Sequence, residues 1–148
     1  MKYRHIILMM ALLVLSAMAL GCTGTGKNAN YDFEVKGQVD KPGTYNLEDY
    51  KDKFVTVNAK LDGQVTHLPA QDYTGVPVRT VLGDAGVKSG ASTLRVLADD
   101  GYTQVFDLSN VTASDNMILI DQNESVRLVA NGYEGGYWVR NVKVIEVN

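Results

Sequence analysis

The chain has 148 residues and a formal charge of −3, with 14 Gly, 3 Pro, two His and one Cys. That length supports one domain. A single Cys excludes an internal disulfide framework, a cysteine-rich zinc site and an iron–sulfur cluster held by this chain alone. Two histidines exclude a multi-histidine metal centre, and the lack of any basic block argues against nucleic acid as a partner.

The first predicted element is an export signal. Lys2 and Arg4 precede an apolar run from Ile6 to Leu20, the charged and apolar regions of a leader. A helix over that run reaches only about 22 Å, short of the roughly 30 Å hydrocarbon core, so a permanent transmembrane anchor is the weaker reading. Ala19-Leu20-Gly21-Cys22 resembles a prokaryotic lipobox, in which the Cys takes the lipid and becomes the new amino terminus. Leu20 is bulkier than the residue usual at its position, and plain secretion with a chance Cys is the alternative. The expected organisation is therefore a signal peptide over 1–21, lipidated Cys22 with a small, polar, flexible tether over 22–30, and a domain over 31–148. The expected protein is extracytoplasmic and anchored to the cell membrane by its lipid.

Within the domain, Tyr31, Phe33, Val35 and Val39 alternate with polar residues, the period of a half-buried strand. Asp40 to Gly43 is turn chemistry, and Asn46 is placed to cap a short helix whose inner face carries Leu47 and Tyr50. Val55, Val57, Ala59 and Leu61 predict a strand that turns at Asp62-Gly63 into Gln64–Leu68. Pro77 suits the first turn of a helix with Val78, Val81, Leu82 and Ala85 on one face and Gly86 as its C-terminal cap. Strands over 93–98 and 102–108 flank the Asp99-Asp100-Gly101 turn. Further strands are predicted over 117–120, 126–130 and 138–147. About seven strands and one or two short helices make an α+β domain, a β-rich mixed sheet or sandwich.

The order of these pieces resembles a known family. Phe33-Glu-Val-Lys-Gly-Gln-Val-Asp-Lys-Pro-Gly43, Gly75-Val-Pro77 with its helix, Asp100-Gly-Tyr102, Asp115 to Leu119 and Tyr137 to Ile145 are similar, in collinear order, to segments of the oxidoreductase molybdopterin-binding domain of sulfite oxidase-like proteins. The resemblance implies a sulfite oxidase-like fold and molybdopterin as the cofactor; the residues by themselves imply none. It also implies a Cys thiolate on molybdenum near Asp62 or Gly63. No Cys occurs in 31–148, and a carboxylate from Asp62 would be a much harder ligand. The stretch between Asn123 and Gly136 is also shorter than the family's glycine-rich loop.

Four residues are candidates for binding a ligand. His67 follows the hairpin near the family's cofactor position, where it could meet an anion or act as an acid–base group. Tyr102 matches the tyrosine that lies near substrate in catalytic members. Arg79 and Arg140 could each hold an oxyanion. Each also has a plainer role, His67 and the arginines as surface groups and Tyr102 as a half-buried strand tyrosine. Trp138, beside Tyr133 and Tyr137, reads as a core anchor of the last strand or as a stacking surface. Gly132, Gly135 and Gly136 lack the strand–loop–helix setting of a phosphate cradle, and Asp99 with Asp100 reads as a turn before a calcium site. No nucleophile–base set is assignable, so no catalytic residue and no metal ligand is expected. The leading expectation is a non-catalytic ligand-binding or accessory role near a membrane redox system, with a membrane redox subunit as partner. The alternatives are an oxidoreductase that binds molybdopterin without a protein thiolate and a structural, surface-interacting lipoprotein.

Overall fold

The computed structural model describes residues 26–148. Cys22 and the signal segment lie outside the described residues. No helix among those described is long and apolar enough to cross a membrane.

Among the described residues, nine strands form two sheets around one core. In chain order they are β1 (Asp32–Gly37), β2 (Gly43–Asn46), β3 (Val55–Asp62), β4 (His67–Pro77), β5 (Thr93–Ala98), β6 (Thr103–Asp107), β7 (Met117–Asp121), β8 (Val126–Ala130) and β9 (Val142–Val147). The first sheet has the order β2-β1-β9-β5-β6, the second β3-β4-β7-β8. The strand that opens the domain pairs parallel with the one that closes it, Glu34 against Val144 through Gly37 against Val147. The other pairs are antiparallel, so the first sheet is mixed.

The predicted helix is α1 (Val78–Ala85). Its four expected apolar residues are buried, and Gly86 closes it at φ +71°, a conformation that glycine adopts without Cβ strain. A second helix, α2 (Leu108–Thr112), takes up the end of the strand expected over 102–108. Asp107 starts it by accepting a hydrogen bond from the Ser109 N–H. That local side-chain bond outweighs the β-propensity of the residues before it.

Asn46 does cap a helical segment, a tight 3-10 turn over Leu47–Lys53 with Leu47 and Tyr50 buried. Sequence patterning missed that Gly43–Asn46 is itself a strand, for it is too short to show a period. The Asn46 amide also donates to the Asn28 carbonyl at 3.1 Å and to Asp32 Oδ1 at 2.6 Å. Asn28 N–H in turn donates to Glu48, and Lys27 pairs with Asp49 at 2.5 Å. Residues Lys27–Asn30, expected to belong to a flexible tether, are thus bonded to the domain. Asn46→Ala removes a nearly buried cap and the link to Asn28 together. It is expected to cost about 2 kcal/mol, read as a lower midpoint in urea unfolding.

Two other expectations are revised. The strand after the Asp62-Gly63 turn runs on to Pro77 rather than stopping at Leu68. Its first part pairs with β3 and its last two residues with β7. The last strand begins at Val142 rather than at Trp138, because Val139 instead accepts from Leu128 N–H at the side of β8.

Candidate functional site

Three turns from different parts of the chain meet at one end of the two sheets. They are the β3–β4 turn (63–66), the β5–β6 turn (99–102) and the segment joining β8 to β9. Between them lies an open pocket of about 540 Å³, within the size range of small-molecule sites. Gly63 and Gly135 seat two of these turns backbone to backbone. A Cβ on Gly135 would sit 2.9 Å from Gly63 Cα and 3.1 Å from Leu61 Cδ2.

The base of the pocket carries Arg127 and Trp138, both almost wholly buried. Arg127 is the second residue of β8, a strand buried at all five positions. Its Nη1 donates to Gln122 Oε1 at 2.7 Å, and its guanidinium carbon lies 5.6 Å from the centre of the Trp138 ring. The ring also meets Tyr73 edge-on at 5.4 Å. Arg127 Nε and Trp138 Nε1 are buried N–H donors without an acceptor. An unmade buried hydrogen bond costs about 1–3 kcal/mol, more when the group is charged. Burial, and secondarily the charge of Arg140, push the Arg127 pKa down. Four arginines lie among the described residues. Arg79 is held in a two-pronged pair by Asp115 and Arg95 is bonded to Glu146. Arg127 and Arg140, both on the pocket, pair with no carboxylate among the described residues. Asp100 and Glu134 also line the pocket but pair with neither, so its two guanidiniums remain free to hold an anion.

Of the four residues singled out in the sequence, Tyr102 and Arg140 line this pocket and the other two do not. Arg79 lies on α1, its fork occupied by Asp115, beside a shallow depression next to α2. His67 begins β4 with its Nδ1 at 2.5 Å from Asp62, which also takes Lys60 at 3.3 Å. Hydrogen bonding to His67, then to Lys60, holds the Asp62 carboxyl below its ordinary pKa. Tyr102 precedes β6 and is 46% exposed, rather than half-buried in the strand. Its hydroxyl donates to Gly136 O at 2.7 Å and accepts from Gln104 at 2.8 Å, so it fastens the β8–β9 segment to the β5–β6 turn. Trp138 is a core residue that also lines the pocket, ahead of the last strand and not in it. Arg127 was missed. Its signal was a lone charge inside the apolar run Val126–Ala130.

A family model, the oxidoreductase molybdopterin-binding domain, matches residues 21–148. The chain belongs to this family. Among solved structures, a chain of the sulfane dehydrogenase SoxCD from Paracoccus pantotrophus superposes with a TM-score of 0.70 at 22% identity. The superposition covers 82% of this chain and 39% of that one, so the present chain spans well under half of its neighbour. The fold is sulfite oxidase-like. No curated protein sequence matches the chain.

Within the family's cofactor, the metal and the organic anion place different demands on a site. For a thiolate-held metal the residues do not fit. No Cys lies among the described residues, and Gly63 occupies the pocket edge where the thiolate is expected. Asp62 does not line the pocket and is engaged by His67 and Lys60. No group of three His, Cys, Asp or Glu among the described residues could hold a metal ion. For an anionic organic ligand the residues do fit. Two guanidiniums without counter-ions line one opening, and two lining residues, Arg127 and Trp138, each keep a buried N–H without an acceptor.

Proposed function

We propose that this protein is a lipid-anchored extracytoplasmic binding module. In this reading its pocket takes a phosphate-bearing, pterin-type anion without a bond from protein sulfur to metal, in an accessory role beside a membrane redox system. The observation that carries the reading is the pair of buried, acceptorless donors at the pocket base, Arg127 Nε and Trp138 Nε1. Arg127 supplies a fixed fork for a phosphate, Trp138 a single directed N–H, and Arg140 a second charge nearer solvent. Family membership supports the pterin part of the ligand. The lipobox-like Ala19–Cys22 supports the anchor. With Lys27 bonded to the domain, a lipid on Cys22 would hold the pocket-bearing body on a leash of at most about 18 Å.

The test is analysis of the protein isolated from its own host. Pterin fluorescence near one per chain, without molybdenum and with a lipidated Cys22 by mass spectrometry, is the expected result. One molybdenum per chain with turnover of a small anion would establish the enzyme alternative. Protein that carries no pterin and takes up neither inorganic phosphate nor neopterin monophosphate would leave the structural lipoprotein.

A further inference from the structure

We infer that Val65 is a specificity residue, the tip of a turn that covers the flat ring of the anion bound beneath it. The inference deepens the function proposed above and rests on it. Four large hydrophobic side chains are exposed among the described residues, and three of them, Val65, Leu68 and Tyr102, line this pocket. Single exposed hydrophobics are ordinary, but a collar of three around one opening calls for an occupant. Val65 is 93% exposed, so in the empty protein it packs against almost nothing.

Its position is nonetheless set. Gly63 N–H donates to Thr66 O at 2.9 Å, which closes the turn, and the Gly63–Gly135 contact seats the turn on the β8–β9 segment. A backbone so held presents Val65 without a large ordering cost on binding. In the family this is the stretch expected to bring the metal thiolate, and here it brings an aliphatic group instead. The pocket therefore joins two chemistries, an anion grip of buried donors below and an apolar collar above. Inorganic phosphate satisfies only the first. A planar heterocycle bearing a phosphate satisfies both, with its ring against Val65 and Leu68.

The mature chain should be titrated calorimetrically with inorganic phosphate and with neopterin monophosphate. The wild type is expected to bind the pterin at least about 10-fold more tightly than phosphate, a difference of the size that burying a few CH₂ groups provides. Val65→Ser is expected to weaken pterin binding about 5–10-fold and leave phosphate affinity unchanged, while Val65→Ile keeps both. Val105→Ser, at another exposed valine that does not line the pocket, is expected to change neither. Wild-type affinity of Val65→Ser for the pterin, or an equal loss for both probes, would overturn the inference and leave the anion site standing. Failure of the wild type to bind either probe would overturn the anion site and this inference with it.

Discussion

Arg127→Met is expected to make the ligand-free protein more stable and to weaken its affinity for anions sharply. The buried guanidinium has one neutral oxygen acceptor, an aromatic face and no carboxylate. A charge withdrawn from water on such terms is stabilised poorly, which the lowered pKa of Arg127 reflects. Methionine fills a similar length without a charge or an orphaned N–H. A gain of about 1–2 kcal/mol, a rise of a few degrees in melting temperature, follows. Removing a buried charge that meets an anion costs about 2–5 kcal/mol of binding, so phosphate affinity should fall about 30-fold or more. Melting curves with and without phosphate read both effects. The wild type should be stabilised by phosphate and Arg127→Met should not. A variant that melts lower, yet is still stabilised by phosphate, would make Arg127 a structural residue and remove the basis for the anion site. Such opposition between stability and binding is the usual mark of a functional group buried ahead of its ligand.

Gly75→Ala is expected to be severely destabilising although it adds only one methyl group outside the pocket. Gly75 sits in β4 where the strand passes from its partner β3 to its partner β7. A Cβ there would overlap the Leu119 carbonyl oxygen and lie 2.8 Å from Ile120 Cγ2. The first neighbour is backbone of a strand buried on both faces, so it cannot swing aside. A cost of at least about 3 kcal/mol is expected, measured as a lowered urea midpoint or as loss of soluble protein. Gly83→Ala, on α1 with open space around its Cβ, is the matched control and should be neutral or slightly stabilising.

The elements that sequence located best are those whose information is local. The helix over 78–85 shows its spacing and its glycine cap, and the Asp99–Gly101 turn shows its residue types. The run 126–130 was legible as a strand because it is uniformly apolar apart from one residue. That residue, Arg127, is the centre of the site, and pattern reading absorbed it into the strand. Conversely, His67 and Arg79 looked chemical but are engaged, His67 by Asp62 directly opposite it across the hairpin and Arg79 by Asp115, 36 residues along the chain, which no spacing rule supplies. The β2 strand and α2 were hidden for another reason. Each is four or five residues long, and its conformation is set by a neighbour strand or a single cap bond.

From the sequence alone came the family, the β-rich α+β class and the absence of any domain thiol to hold a metal, because motif order, hydrophobic period and a missing residue type are properties of the chain itself. Only the tertiary structure decided where the charge is left over. It closed β1 on β9 and brought three distant turns to one opening. It supplied carboxylates to Arg79 and Arg95 and withheld them from Arg127 and Arg140. Whether a cation is neutralised depends on what the fold places within a few ångströms of it, and chain neighbours do not fix that.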